Sequence, residues 1–330
     1  MGRIRTAVVG AGYLGRFHAL KYARLPQVEL IAVVDLLPER AKAVARETGA
    51  QPMMDFRELP GLVDAVTVAV PTTDHHRVAT WLLQAGIHVL VEKPMAATLQ
   101  QAQEMVDLCS SKGLVLQVGH LERFNPIWQQ VRGKVRNPLF LECERISPYP
   151  GRGTDVDVVL DLMIHDIDLV LDVMGEPPLE VDAIGVPVLT QSCDMVSARL
   201  RFPRGRVASL TASRVSAKSL RKVRIFQPDA YISVDCGRTE AQIFRKLPPE
   251  VPGALPRITG EKLQVEQGDA LMEEVRSFVQ AVLTGGKPVV DGLTALRCLE
   301  VALAVRSSVE KNLPQDLRAF LCGKPEAASL

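Results

Sequence analysis

The sequence predicts a two-domain α/β protein: an N-terminal Rossmann dinucleotide-binding domain, then an α+β domain with a largely antiparallel open sheet. Three observations carry this. A glycine-rich turn, Gly10-Ala-Gly-Tyr-Leu-Gly15, separates an apolar strand-like run from a helix-like run. Strand-like and helix-like segments then alternate up to about residue 120. Beyond that point, short runs divided by turn residues replace the strand–helix rhythm.

Taken in order, residues 4–9 are apolar and rich in β-branched side chains, as a strand buried on both faces requires. A helix is expected from the glycine turn to about Arg24, and a strand over 29–34 that ends at Asp35. Pro38 opens a helix reaching Thr48, because proline suits a first helical turn. Strands follow at 65–70, 88–91 and 114–118, with helices at 75–85 and 99–112. Residues 158–174 form an apolar segment of helical length. Strand-like runs at 195–202, 206–212, 223–227 and 230–234 are joined by turns at Pro203-Arg-Gly205 and Pro228-Asp229. The proline-rich stretch 247–256 reads as a loop, and helices are expected at 269–284 and 292–311. These elements set the domains at 1–120 and 121–330.

Bulk properties exclude several classes. Lys plus Arg total 39 and Asp plus Glu total 38, so no net charge draws the chain to nucleic acid or an anionic membrane. No run reaches the roughly 18 apolar residues of a membrane helix. The apolar run after Arg3 and Arg5 ends at Gly10 without a cleavage pattern, so no secretory signal is expected. The six cysteines are scattered with no C-x-x-C pair, which argues for reduced, buried thiols rather than disulfides or zinc. A cytoplasmic protein without a metal is expected.

The glycine turn is the first site. Gly10 permits the tight turn, Gly12 lets the backbone approach a pyrophosphate, and Gly15 lets the helix pack near the strand. Tyr13 and Leu14 offer backbone N–H groups at the helix N-terminus, where partial positive charge favours phosphate. Asp35 follows the third glycine by 20 residues and is placed to accept both adenosine ribose hydroxyls. Its charge repels a 2′-phosphate, so NAD is favoured over NADP. Pro71 and Thr72 end the third strand and are candidates for the cofactor ribose.

Four further elements, Val70-Pro-Thr-Thr-Asp-His75, Val91-Glu-Lys-Pro94, Gly119-His-Leu-Glu-Arg-Phe-Asn-Pro126 and Asp161-Leu-Met-Ile-His-Asp166, occur in that order. With them the chain resembles the glucose–fructose oxidoreductase and inositol dehydrogenase family (Gfo/Idh/MocA) along nearly its whole length. The resemblance implies NAD(P)-linked oxidation or reduction of a sugar or polyol. It also implies an open C-terminal sheet that mediates homo-oligomers, dimeric or tetrameric. Glu122-Arg-Phe-Asn-Pro126 and the segment 157–168 are similar to members that oxidise a nucleotide sugar for lipopolysaccharide synthesis.

Oxidising an alcohol needs a base for the hydroxyl proton and a donor for the developing oxyanion. Lys93, at the carboxyl edge of the 88–91 strand, and His165 are the expected pair. The resemblance places Lys93 beside the nicotinamide, with Glu92 among the cofactor contacts. Asp161 precedes His165 by four residues and would share its helix face, orienting the base or the substrate. Arg123 and Asn125 are expected substrate contacts beside Lys93, Asp161 and His165. Arg152, Lys218 and Arg221 suit a diphosphate but read individually as surface. Asp166 and Asp168 read as helix-flanking acids. Two alternatives stay open: an inositol, polyol or free-sugar dehydrogenase, and a non-catalytic dinucleotide sensor on the same fold.

Overall fold

The computed structural model describes residues 3–149, 156–250 and 255–314. The chain divides into two compact units, 1–124 with 269–299, and 125–268 with 300–330.

The first unit is built on six parallel strands in the order β3-β2-β1-β4-β5-β6. They are β1 (Ile4–Val9), β2 (Val28–Val34), β3 (Gln51–Met53), β4 (Ala65–Val68), β5 (His88–Glu92) and β6 (Leu116–Gly119). Strand order reverses between β1 and β4, so the ends of these strands frame the crevice where such sheets take ligands. Helices α1 (Tyr13–Tyr22), α2 (Pro38–Thr48), α3 (Thr72–Gln84) and α4 (Leu99–Lys112) connect them. Local chemistry marks their ends. Pro38 enters the first turn of α2, Thr98 Oγ1 caps α4, and Gly49 and Gly113 close these helices in the left-handed conformation.

Most of these bounds match the sequence expectation, and α4 matches it at both ends. β3 was not expected: its middle residue is proline, and two of its three residues are exposed. Such an edge strand carries no apolar run to read.

The domain boundary differs from the expected position near 120. The first unit reaches Phe124 and also takes α7 (Ala270–Thr284) and the start of α8 (Gly292–Asn312). The reason is packing. Val275, Phe278, Val279 and Ala281 of α7 share one core with Ile4, Val8, Ala19 and Tyr22. Val118 N–H also donates to the Val290 carbonyl. Apolar periodicity marks α7 as an amphipathic helix but does not say which sheet it covers.

The second unit contains an eight-stranded sheet in the order β14-β13-β12-β11-β7-β10-β9-β8. Its strands are β7 (Phe140–Ile146), β8 (Glu180–Val186), β9 (Met195–Arg201), β10 (Val207–Ser213), β11 (Leu220–Gln227), β12 (Ala230–Asp235), β13 (Glu240–Leu247) and β14 (Arg257–Gln264). Only β7 and β10 pair in parallel. The sequence reading found β9 to β12 but not β7, β8, β13 or β14, nor α5 (Pro126–Arg132). β14 is exposed at seven of its eight positions, and β7 carries three charged residues, so neither shows a plain apolar signal. The expected loop at 247–256 begins with the last residue of β13, and its residues 251–254 lie outside the described residues.

Residues 159–174 are helical, as expected, but not uniformly so. Val159–Met163 forms a π turn that leads into α6 (Ile164–Met174). α6 packs against β7 and β10. Leu141, Cys143 and Arg145 are buried on alternate positions of β7.

Candidate functional site

The glycine turn leaves β1 and opens α1, as its spacing requires. Gly10 has φ +97°, and a Cβ there would lie 2.3 Å from the Ala69 carbonyl oxygen. A Cβ at Gly15 would lie 1.7 Å from the Gly10 carbonyl oxygen, so only glycine permits this strand–helix approach. At Gly12 nothing lies within 4 Å, which leaves open space at the N-cap of α1. The turn therefore fits a dinucleotide: the first and third glycines are needed by the fold, and the second faces room for a pyrophosphate. Tyr13 and Leu14, both exposed, begin the helix and present backbone rather than buried side chains.

Asp35 follows β2 and is half-buried. Its Oδ2 accepts from Ala11 N–H at 2.7 Å and its Oδ1 from Leu37 N–H at 2.9 Å. The carboxylate is thus fixed against the glycine turn, and each oxygen retains a second lone pair for a hydroxyl. Pro71 is the N-cap of α3 and Thr72 its first residue, so both stand at the carboxyl end of β4.

Lys93 follows β5 at the same sheet edge and is half-buried. Glu92, expected among the cofactor contacts, turns its carboxylate inward. Its Oε1 accepts from His18 Nε2 at 2.7 Å and its Oε2 from Lys93 N–H at 3.3 Å. Burial would raise its pKa, yet the hydrogen bond with His18 and the nearby charge of Lys93 bring it below the ordinary value. His75 was expected only to begin a helix. It is buried, with Nδ1 2.8 Å from the Pro94 carbonyl oxygen and Nε2 2.9 Å from that of Val70. One ring thus ties the loop after β4 to the loop after β5. Burial lowers its pKa, so the neutral ring donates to one carbonyl at a time. His75 lies inside the Val70–His75 motif, but helical position gave no sign of this bridge.

In the second unit the π turn carries Asp161 and α6 carries His165. Asp157 Oδ1 accepts from Val159 N–H at 3.0 Å and Leu160 N–H at 3.1 Å, which anchors the entry to the turn. Arg306 Nε holds the other oxygen of Asp157 at 2.6 Å. Asp157, Asp161 and His165 are half-buried, whereas Val158–Leu160, Met163, Ile164 and Asp166–Asp168 are buried. Asp161 and His165 are therefore the accessible polar groups of this segment. Their four-residue spacing crosses from π to α geometry, so the uniform α-helix expected there is replaced by a π turn, a feature frequent at functional sites.

Asp166 is a structural acid. Its oxygens pair with Arg145 Nη2 at 2.8 Å and Nε at 3.1 Å, with both side chains buried. Asp168 is buried too.

Asn125, expected as a substrate contact, has a helix-capping role that was not expected. Its Nδ2 donates to the Cys236 carbonyl at 3.0 Å and its Oδ1 accepts from Ile127 N–H at 3.2 Å, capping α5. Asn followed by Pro at the first helical position is an N-cap signature, and that local role occupies both ends of the amide. Arg123 is buried in a short 3-10 turn, Leu121–Phe124. Lys218 and Arg221 flank and begin β11, and Arg152 lies outside the described residues. Three of the cysteines are poor nucleophiles: burial pushes Cys109 and Cys193 up to about 11, and Cys143 well above the ordinary thiol value.

These features define an oxidoreductase built on a nicotinamide-binding Rossmann unit. The chain belongs to the Gfo/Idh/MocA family: residues 4–120 match the model of the oxidoreductase family with an NAD-binding Rossmann fold, and residues 131–233 match the GFO/IDH/MocA C-terminal domain. NAD is its cofactor class. The chain is similar to UDP-N-acetylglucosamine 3-dehydrogenase of Acidithiobacillus ferrooxidans, at 39% identity over 94% of this chain and 98% of that protein. A solved structure of that enzyme superposes with a TM-score of 0.87 at 37% identity, covering 97% of this chain and all of the other. Similarity to scyllo-inositol 2-dehydrogenase (NAD(+)) of Bacillus subtilis is lower, 26% identity over 96% of each chain. Levoglucosan dehydrogenase shares the fold, with a TM-score of 0.82 at 19% identity over 94% of this chain and 98% of that one.

Proposed function

We propose that this chain oxidises a secondary hydroxyl of a nucleotide sugar, the 3-OH of UDP-N-acetylglucosamine, to the 3-keto sugar. The observation that carries this is the end-to-end similarity to a UDP-N-acetylglucosamine 3-dehydrogenase, at 39% identity. The presence of Lys93, Asp161 and His165 in the motifs that carry the family resemblance supports it, and the half-buried positions of Asp161 and His165 on their segment agree. A product of this kind suits lipopolysaccharide synthesis.

When bound, NAD would supply the hydride acceptor for the carbinol carbon. The glycine turn would hold the pyrophosphate through backbone N–H groups of Gly12, Tyr13 and Leu14, and Asp35 would accept hydrogen bonds from the ribose hydroxyls. Pro71 and Thr72 would contact the cofactor, and Glu92 would act through Lys93. His165 takes the hydroxyl proton, Lys93 hydrogen-bonds the same oxygen, and Asp161 orients the imidazole or the substrate. Each step balances: the C–H electron pair leaves with the hydride, and the hydroxyl proton goes to His165. Arg123 remains a candidate for the substrate.

The same reading makes the protein a cytoplasmic homo-oligomer. Among the described residues no helix is long and apolar enough to cross a membrane. On the sheet face opposite Leu141, Cys143 and Arg145, Phe140, Phe226, Tyr231 and Phe244 form a ladder with centroids 5.7, 4.9 and 6.2 Å apart. Light scattering of the parent and of a Phe226→Asp, Phe244→Asp variant tests it, with a smaller particle expected from the variant.

The deciding experiment is a substrate panel of UDP-N-acetylglucosamine, free sugars and inositols, each with NAD and with NADP. NADH formation from the nucleotide sugar is expected. Turnover of a free polyol with an inert nucleotide sugar would assign an inositol-type dehydrogenase instead. No turnover of any compound would favour a dinucleotide sensor.

A further inference from the structure

Beneath Lys93 the first unit buries three ionisable side chains from three elements. His18 comes from α1, Glu92 from the end of β5 and Glu274 from α7. One donor atom of each lies within 4.8 Å of the others, and their exposures are 0%, 9% and 1%. His18 Nε2 reaches Glu92 Oε1 at 2.7 Å, but neither oxygen of Glu274 has a hydrogen-bond partner. Burying a carboxyl group in this way is costly unless it does something that a hydrocarbon side chain cannot.

The neighbouring contacts show what is being held. Glu92 Oε2 receives the backbone N–H of Lys93. A Cβ on Gly119, the residue opposite Glu92 on β6, would lie 3.0 to 3.3 Å from the Glu92 carboxylate oxygens, so the glycine leaves just enough room for them. On the α7 side, Gln117 Nε2 donates to the Glu274 carbonyl at 2.9 Å, which fixes Glu274 over the same spot. The Glu92 carboxylate is clamped by α1, β6 and its own successor, and α7 closes the pocket.

We propose that Glu92 is a positioning residue for Lys93, held by His18 and sealed from water by Glu274, so that this cluster sets how Lys93 meets the substrate oxygen. The inference rests on the role given to Lys93 above.

Charge follows from the geometry. Two carboxyl groups in one dry pocket do not both ionise, and the one with hydrogen-bond donors keeps the charge. Glu92 has His18 and the Lys93 N–H, whereas Glu274 has neither. Accordingly burial and the Glu92 charge push the Glu274 pKa well above the ordinary value. The other titratable groups bearing on the pair are His75 of α3, Lys93 itself and Tyr22 of α1. Tyr22 stays protonated: burial raises it, and its hydroxyl is 2.7 Å from Thr67 Oγ1. A single anion, Glu92, therefore lies under Lys93 at neutral pH. It fixes the peptide from which the Lys93 side chain springs.

The test uses the full-length enzyme with NAD and whichever alcohol it oxidises. Glu92→Gln is expected to lower kcat by about tenfold or more, the scale of a misplaced catalytic group, while the NAD dissociation constant stays nearly unchanged. The loss should fall on kcat, with KM for the alcohol little changed, because the substrate contacts remain and only the placement of Lys93 is altered. Glu274→Gln replaces a neutral carboxyl group with a neutral amide, and its readout needs no substrate. A raised carboxyl pKa stabilises the fold fully only below the unfolded value near pH 4, and this contribution is lost as pH rises towards the folded value. The melting temperature of Glu274→Gln should therefore gain on the parent between pH 5 and pH 8.

An unchanged kcat in Glu92→Gln, or a loss confined to KM, would overturn the positioning role. So would a Glu274→Gln melting difference that does not grow with pH, because both carboxyl groups would then be ionised. Stoichiometric zinc in the purified protein, lost on any of the three substitutions, would overturn it in favour of a metal site. If Glu92→Gln fails to fold, the Glu274→Gln melting series still decides. Failure of the Lys93 assignment itself reads differently: Lys93→Met would then turn over normally, while the melting series is unaffected.

Discussion

Both units bury carboxylates, but they satisfy them differently. In the second unit Asp194 is fully buried and accepts from Val188, Leu189 and Thr190 N–H, from Thr190 Oγ1 at 2.8 Å and from Arg214 Nε at 2.9 Å. Arg214 in turn donates to the Val156 carbonyl and to Ser192 Oγ, both at 2.9 Å. In the first unit Glu274 is equally buried and has no partner. A saturated pair holds loops together; on the proposal above, an unsatisfied carboxyl next to the Glu92 carboxylate is kept for its effect on charge.

The comparison breaks first on activity. Lys93→Met and His165→Ala should each reduce kcat by roughly 10²–10⁴-fold, the usual contribution of a positioned acid or base. NAD binding and melting temperature should stay near the parent values. Steady-state kinetics with calorimetry checks this, and near-normal turnover in both variants would remove the catalytic assignment.

Stability gives the next effect. Asp194→Ala strands Arg214 in the interior, and should cost roughly 3–5 kcal/mol in chemical denaturation, as one-sided removal from a buried pair does. Asp194 also sets an acid limb. Although burial opposes it, the backbone donors hold its pKa well below the usual carboxylate range. Its stabilising contribution is therefore present above the unfolded value near pH 4 and fades as pH falls towards the folded one. Asp194→Asn should flatten the loss of stability below that pH. This slope is opposite in sign to the one expected for Glu274.

A smaller change is expected at the cofactor. Asp35→Ala removes the ribose acceptor and should weaken NAD binding by about tenfold, the scale of a hydrogen bond to a charged group. Discrimination against NADP should narrow as well, which titration of both dinucleotides measures. The smallest effect should come from the half-exposed Glu142–Arg224 pair, 2.7 Å apart on β7 and β11. Glu142→Gln should alter stability by less than about 1 kcal/mol. A larger loss there would mean that surface pairs matter as much as the buried ones.

Much of this was legible in the residue order. Strand β1, helices α2 and α4, the glycine turn and Asp35 announce themselves through local rules: period, proline at a first turn and glycine where a Cβ has no space. Lys93, Asp161 and His165 were legible as motif members, and family membership gave them a context. The weak strands β3 and β14 were not, because an exposed edge strand needs no apolar pattern. The helix-capping use of Asn125 was missed, although Asn before Pro is a local N-cap signal.

What the sequence alone determined was the kind of cofactor and the fold that holds it, since the glycine spacing and the acid at the end of β2 act within one βαβ unit. Tertiary structure decided which long-range neighbours each side chain met. His18, Glu92 and Glu274 are separated by 74 and 182 positions, and no local pattern links them. Only the packing of α1 and α7 about the β1-to-β6 sheet brings them together, because hydrophobic burial is non-directional and leaves the choice of neighbours to the whole fold.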